Sequence, residues 1–307
     1  MEKRPSFAVV IPTKNRSEDL ARCLSSLRKQ STPPDRIVVI DNGSTDATPS
    51  VLKQFEQVES VVDSTPCLPR LFNVGWRKTD CNIIAFLNDD TEADPDWVGA
   101  ILEGFERYPD AAAVGTPTLD LGPRRVRELA KRNGILVRLY DRFLLRGKLY
   151  GWGVLEPWGA YSIGTDWPGS ATRVGMLTVT NMAVRRATLE RFQGFSEDFL
   201  FSNYDGFLFH QLQLADLPMY FVPRGVVKHY VNPSGSTRSA FYLSRDNAVF
   251  FGKLTPRKPM ERVLAKATGL ASLAFWWEAA RAGNRNLFRS AVRGYMEGVA
   301  YLGSKQR

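Results

Sequence analysis

Apolar positions in this chain gather into short runs that stop at acids or turns, and the runs alternate with stretches of helical spacing. Phe7 to Ile11 (FAVVI) is unbroken and apolar, Ser17 to Gln30 carries Leu20, Cys23, Leu24 and Leu27 at helical intervals, and Ile37 to Ile40 is apolar again. Strand, helix, strand in that order predicts a right-handed crossover and a parallel sheet. Cys81 to Leu87 (CNIIAFL) is short and uncharged, as a strand buried on both faces should be.

Further along, a helix is expected over Asp96 to Tyr108 and a strand over Ala111 to Gly115. Met176 to Val184 reads as a strand and Ala187 to Phe192 as a helix. Asn203-Tyr204-Asp205 opens a helix running to Leu214, and Met219 to Val222 and Val226 to His229 are short strands. Between Pro117 and about Gly175 lies an irregular stretch rich in Gly, with Trp152, Trp158 and Trp167. A segment of that length inside a domain suits a lid or binding loop. Within it Val126, Leu129, Leu136, Tyr140 and Phe143 alternate with arginines as a basic amphipathic helix would. After Pro233-Ser234-Gly235 the pattern turns helical. Leu264, Ala267, Leu270, Ala271, Ala274 and Trp277 form one apolar face, and Phe288, Ala291, Tyr295, Val299 and Leu302 another beyond Gly283-Asn284.

The chemistry lies where the first strands end. Ile37 to Ile40 runs into Asp41, and Cys81 to Leu87 runs into Asn88-Asp89-Asp90. In open α/β sheets ligands bind beyond the carboxyl ends of the parallel strands, so these acids are expected to share one pocket. Neighbouring carboxylates repel and are tolerated near a buried strand end when a cation or hydrogen-bond donors compensate. Asp46, in Ser44 to Pro49, reads instead as the start of a helix carrying Val51, Leu52 and Phe55.

Composition narrows the partners. The chain has 307 residues, 24% charged and 44% hydrophobic, as ordinary globular proteins have. Its three cysteines, Cys23, Cys67 and Cys81, have no metal-ligand spacing and suit a reducing compartment. No apolar run approaches the roughly 18 residues that span a bilayer, and the N-terminus lacks a signal-peptide core. Net charge is +9, but Pro117–Tyr150 carries +6 and Lys253–Arg307 carries +8, leaving the rest at −5. A mildly acidic sheet is wrong for a nucleic-acid surface and natural for a metal site.

With these residues on the page, the chain resembles the family 2 glycosyltransferases, inverting enzymes of the Rossmann-like GT-A fold, and is similar to their rhamnosyltransferase-like members. The motifs are VVIPTKNR (Val9 to Arg16), VVIDNGSTD (Val38 to Asp46), NVGWR (Asn73 to Arg77), FLNDDTEADPDWV (Phe86 to Val98), TNMAVRR (Thr180 to Arg186), GFSEDF (Gly194 to Phe199) and VVKH (Val226 to His229). The resemblance implies an α/β fold: a mixed, mainly parallel sheet flanked by helices over residues 1–232, with 117–175 as acceptor or lid segment. Beyond the resemblance, which ends near Tyr230, the apolar faces and the Arg285, Arg289 and Arg293 stripe of residues 233–307 are expected to be amphipathic helices docking on a membrane or a subunit.

It implies site residues as well. Pro12, Thr13, Asp41, Asn73 and Asp89 would bind a UDP- or dTDP-sugar. Asp90, Asp89 and His229 would hold Mn²⁺ or Mg²⁺, with a buried structural histidine as the alternative for His229. Asp205 would be the general base or merely a helix cap, because Tyr204 stands where the family has Glu and Phe207 where an acid is common. The implied acceptor is a hydroxyl of a glycan or lipid-linked sugar in surface polysaccharide synthesis. The implied setting is the cytoplasm or the inner membrane face, on an anionic lipid surface or as a homo-oligomer, without nucleic acid. A non-catalytic sugar- or nucleotide-binding relative is the other reading of Tyr204 and Phe207.

Overall fold

The computed structural model describes residues 4–121, 139, 141–146, 153–162, 167–230, 237–281 and 285–305. Most of the expected basic amphipathic helix, Trp152, the Pro233–Gly235 hinge and the Gly283-Asn284 turn lie outside them.

The elements run β1 (Phe7–Thr13), α1 (Ser17–Arg28), β2 (Arg36–Asp41), α2 (Thr48–Leu52), β3 (Val58–Val62), α3 (Leu68–Arg77), β4 (Ile83–Leu87), β5 (Thr91–Ala93), α4 (Trp97–Arg107), β6 (Ala113–Gly115) and β7 (Thr118–Leu121). Then come a π-helical turn (Asp141–Leu145), β8 (Val154–Leu155), β9 (Tyr161–Ser162), β10 (Thr172–Val174), β11 (Asn181–Arg185), α5 (Arg186–Phe192), α6 (Tyr204–Leu214), β12 (Met219–Phe221) and β13 (Val227–Tyr230). Three long helices follow: α7 (Thr237–Lys253), α8 (Pro259–Arg281) and α9 (Arg285–Lys305).

By their contacts the residues form two compact units interleaved along the chain. One comprises Met1–Leu121, Trp167–Ser196 and Gln211–Val231; the other comprises Gly122–Asp166, Glu197–His210 and Asn232–Arg307.

The first unit holds an eight-stranded sheet in the order β10-β12-β6-β11-β4-β1-β2-β3. β1 pairs in parallel with β2 and β4, while β11 and β10 run against their neighbours. Period-2 alternation sends Phe7, Val9 and Ile11 to one face, where α1 (Leu20, Cys23, Leu24, Leu27) and α4 (Trp97, Val98, Ile101, Phe105) cover them in one buried cluster. Each such side chain contributes roughly 1.5–3 kcal/mol when fully withdrawn from water.

On the other face Leu71 of α3 packs on Val38 and Ile40. Here α3 comes so close to β1 that a Cβ on Gly75 would lie 2.2 Å from Val10 Cγ1. Only a hydrogen fits there. The sequence pattern gave no strand at β3, whose burial is partial throughout, as suits a sheet edge.

The expected strand from Met176 begins five residues late, at Asn181. Residues before it fold into a turn in which Asn181 N–H donates to Thr178 O at 3.0 Å. The Asn181 carboxamide then donates to Thr116 O and Pro117 O and accepts from Trp97 Nε1 at 2.7 Å, a fully buried polar junction. A second sheet, β5-β13-β7, completes this unit.

In the second unit α7 and α9 touch backbone to backbone. A Cβ at Gly294 would sit 2.1 Å from Phe241 O, and one at Gly298 would sit 2.4 Å from Arg245 O. Asp246 of α7 is completely buried and accepts from the backbone N–H groups of Leu200, Phe201 and Ser202, the last at 2.8 Å, and from Arg245 Nη1 at 2.8 Å. A buried carboxylate is sustained only by such a full set of donors. Trp158, in the stretch that suited a lid or binding loop, is core: it is 2% exposed and donates to Leu144 O at 3.0 Å. Trp167 is exposed.

Candidate functional site at the ends of β1, β2 and β4

Register assembles the site. Thr13 stands opposite Asp41 across β1 and β2, and Asn42 N–H donates to Thr13 O at 2.9 Å, so Pro12, Thr13 and Asp41 share one sheet edge. Thr13 Oγ1 donates to Asp89 Oδ2 at 2.8 Å, which brings the acids after β4 to the same edge. Asp41 Oδ1 accepts the Ser44 N–H at 2.9 Å and closes the Gly43 turn, where φ is +71°.

The small sheet supplies the remaining groups. β13 lies between β5 and β7, which sets His229 opposite Thr91 on one side and Asp120 on the other, and Tyr230 N–H donates to Asp90 O at 2.8 Å. His229 Nδ1 is 2.9 Å from Asp120 Oδ1, and Nε2 is 3.3 Å from Asp90 Oδ1. Arg16, the residue preceding α1, reaches in from the opposite side: Nη1 is 2.5 Å from Asp90 Oδ2 and 3.5 Å from Asp89 Oδ1.

These contacts set the charges. Burial pushes the Asp89 carboxyl up to about 7 against the pull of Arg16 and Thr13. Asp90, though burial opposes it, is held below the usual carboxylate range by His229 and Arg16. Burial would lower the His229 imidazole, but its contacts with Asp120 and Asp90 outweigh that and raise it to about 9. Without a metal the ring is therefore an imidazolium between two carboxylates.

The donor set fits a divalent cation. Asp90 Oδ1 is buried and receives no aligned hydrogen bond, although Nε2 faces it. An imidazole whose far nitrogen is tied to a carboxylate is the usual second-sphere arrangement of a metal-binding histidine. Among the described residues no three His, Cys, Asp or Glu side chains already form a coordination sphere. Asp90 and His229 would be the protein ligands, with Asp89 turned toward Thr13 and Arg16, and phosphate or water oxygens would fill the other positions.

Two expected residues take no part in these contacts. Asn73 is 1% exposed and spends its amide on the protein itself: Nδ2 donates to Phe195 O at 2.8 Å, and Oδ1 accepts Phe195 N–H at 2.9 Å and Trp76 Nε1 at 3.2 Å. It ties α3 to the turn after α5. Asp205 belongs to the second unit, on the first turn of α6, half-buried, with Oδ1 accepting the Gly206 N–H at 2.8 Å. Near it is Tyr161 of β9, whose hydroxyl is pushed up to about 12 by burial and by the Asp205 charge. Tyr161 OH also donates to Asn203 Oδ1 at 3.3 Å, and Asn203 Nδ2 donates to Asn247 Oδ1 at 2.6 Å. Tyr204 is buried, and Phe207 packs on Phe199 at 5.7 Å between centroids with Lys253 over its ring, so both substituted positions fill space.

Sequence patterning did not single out Arg16, Asp120 or Tyr161. Arg16 stood inside a recognised motif, and its place between a strand end and a helix start was the available signal. Asp120 and Tyr161 sit on strands too short to carry a period.

The profile of Glycosyl transferase family 2 matches residues 8–165, just over half of the chain. A validoxylamine A glucosyltransferase of Streptomyces hygroscopicus subsp. limoneus is 35% identical over 105 residues, which is 32% of this chain and 23% of that protein. The glycosyltransferase AglE of Haloferax volcanii is 29% identical over 101 residues, 31% of this chain and 33% of its own. These alignments thus span a third or less of the curated relatives.

Among solved structures, the mannosyltransferase PcManGT from Pyrobaculum calidifontis, in complex with GDP-Man and Mn²⁺, superposes with a TM-score of 0.60 at 18% identity over 99% of this chain and 80% of that one. S. aureus TarS 1-349 in complex with UDP gives 0.56 at 13% identity over 98% and 92%. The fold they share with this chain is the GT-A fold, a mainly parallel sheet between helices.

Proposed function

The chain belongs to glycosyl transferase family 2, and from that footing we propose that it moves a sugar from a UDP- or dTDP-linked donor to a hydroxyl of a glycan or lipid-linked acceptor, with inversion at the anomeric carbon. The observation that carries this reading is the run of contacts Thr13–Asp89, Arg16–Asp90 and Asp90–His229–Asp120 at the carboxyl edge of the sheet. GDP-Man with Mn²⁺ and UDP in the two structural neighbours support a nucleotide donor and a divalent ion.

In this reading Asp41, beside Pro12 and Thr13, accepts from the base, and Asp89 faces the ribose or sugar. Asp90 and His229 hold Mn²⁺ or Mg²⁺, which when bound supplies charge to offset the departing diphosphate. Asp120 keeps the His229 ring oriented with Nε2 toward Asp90.

Asp205 takes the proton of the acceptor hydroxyl as that oxygen attacks the anomeric carbon, and general-base help of this kind is worth roughly 10²- to 10⁴-fold. Tyr161 and Asn203 hold the start of α6 in place around it. A single displacement needs no covalent nucleophile.

The test is transfer and donor hydrolysis by wild type and Asp205→Asn with a panel of nucleotide sugars and Mn²⁺. The donor should be identified first by its stabilisation of the native state in a thermal-shift screen. The expected result is that Asp205→Asn loses at least ~10²-fold in kcat while donor affinity is unchanged. Equal, negligible turnover in both would make the chain a sugar- or nucleotide-binding relative.

We also propose that α8 and α9 dock on an anionic lipid surface. α8 turns Met260, Val263, Leu270 and Trp277 outward, with exposures of 67%, 62%, 62% and 48%. Arg285, Arg289 and Arg293 of α9 are exposed one turn apart, and Trp277 packs on Phe288 beside them. No described helix is long and apolar enough to cross a membrane, so such contact would be superficial.

A further inference from the structure

Arg16 carries an inference that rests on the donor and metal reading above and goes beyond it. One guanidinium nitrogen lies within 3.5 Å of both Asp89 and Asp90, and the Asp90 oxygen it holds at 2.5 Å is not the one facing His229. Asp90 is therefore gripped from two sides, by Arg16 on Oδ2 and by the imidazole on Oδ1.

The two partners differ in freedom. His229 is fixed by its strand and by Asp120. Arg16 sits ahead of α1 on a fixed backbone: Arg16 O accepts the Leu20 N–H at 2.9 Å, and the preceding Asn15 donates its N–H to Ser44 Oγ at 2.8 Å and accepts the Thr45 N–H on its Oδ1 at 2.7 Å. Its side chain is the solvated partner, 35% exposed against 10% and 9% for the two carboxylates it covers. A long, partly solvated arm laid over a buried pair of acids can leave without any change of fold.

We propose that Arg16 is a positioning residue that stands in for the divalent cation. In the metal-free protein it neutralises Asp89 and Asp90; when the ion enters it is displaced by charge repulsion and turns to the donor's diphosphate, so that ion and nucleotide bind as a pair. A divalent ion taken up between Asp90 Oδ1 and the deprotonated His229 Nε2 would add positive charge beside the guanidinium on Oδ2 and weaken its hold. A released guanidinium beside a nucleoside diphosphate has a matching planar acceptor in its phosphate oxygens. The device withholds the ion's site until a donor is present to receive the arginine.

The experiment measures Mn²⁺ binding to the full chain without nucleotide, from the electron paramagnetic resonance signal of the free ion. UDP binding is measured calorimetrically with and without saturating Mn²⁺. Arg16→Gln should bind Mn²⁺ alone about 10-fold more tightly than wild type, bind UDP–Mn²⁺ about 10-fold more weakly, and lose most of the mutual enhancement between the two. Arg16→Lys, which keeps a charge on a flexible stem, should lie between the two in both measurements.

A merely structural ion pair would not tighten metal binding on removal. Unchanged or weaker Mn²⁺ affinity in Arg16→Gln overturns this inference while leaving the donor reading standing. Absence of Mn²⁺ and UDP binding in wild type and Arg16→Gln alike overturns both.

Discussion

At the scale of the residue, the site is governed by a few side chains whose charge is set by burial and by one another. Asp120 orients His229 without belonging to the expected ligand set, and loss of such a partner typically costs 10- to 100-fold in metal affinity. Asp120→Asn should therefore weaken Mn²⁺ binding to the UDP-saturated protein by about that factor, read by calorimetry.

His210 offers a test of folding rather than function. It is 2% exposed, neither ring nitrogen has a hydrogen-bond partner among the described residues, and burial pushes its pKa down to about 4. Between its ordinary value near 6.5 and that figure, the unfolded chain binds a proton that the folded chain refuses, so stability falls as the medium is acidified across this window. The loss from pH 7 to pH 5 should be on the order of 2 kcal/mol. His210→Leu should show a flatter dependence in urea unfolding at the two pH values, and an identical slope would show that the histidine is charged in the native state.

Residues that end a long apolar run were legible in the sequence: Asp41 stands across from Thr13 at the sheet edge, and Asp89 accepts from Thr13 there. Asn73 was legible as a motif member but not as a brace, because its partner Phe195 lies 122 residues away. Arg16 and Asp120 acquire their meaning from pairing, which no local pattern carries.

At the scale of the element, strands buried on both faces declared themselves through unbroken apolar runs, and α1 and α4 through their periodicity. β3 and β7 did not, since each is half-exposed and short. The register of β13 between β5 and β7 is what makes a site of Asp90, His229 and Asp120, and register across a three-strand ribbon is a tertiary outcome.

Helix docking gives the sharpest element-scale expectation. Because a Cβ on Gly75 would lie 2.2 Å from Val10 Cγ1, Gly75→Ala should force α3 off β1. Although alanine favours helix, the overpacking term of about 1–3 kcal/mol should win. Chemical denaturation should show a lower midpoint; a raised one would mean that the sheet yields easily there.

At the scale of the whole molecule, two units alternate along the chain, and the sequence showed only the broad passage from sheet to C-terminal helices. Residues 197–210 join the later helices through contacts such as Asp246 with the Leu200–Ser202 amides, which composition does not reveal. Charge was legible at this scale, and it leads to the surface proposed for α8 and α9. Vesicles rich in phosphatidylglycerol should sediment with the protein at low salt and release it as ionic strength rises, and the triple change of Arg285, Arg289 and Arg293 to Ser should abolish most of that binding. Equal binding to purely zwitterionic vesicles, or none to either, would refute lipid docking. In the latter case, concentration-dependent dimers in light scattering would point to a second subunit.

The burial of Asp246 also bears on how the chain is made. The Ser202 amide must wait for a carboxylate 44 residues further along. At ribosomal speeds of about 5–20 residues per second, that is an interval of roughly 2 to 9 s during which the turn ahead of Asp205 has no anion to close around. A nascent chain stalled within that interval should expose this turn to proteases that cannot cut it in the finished protein.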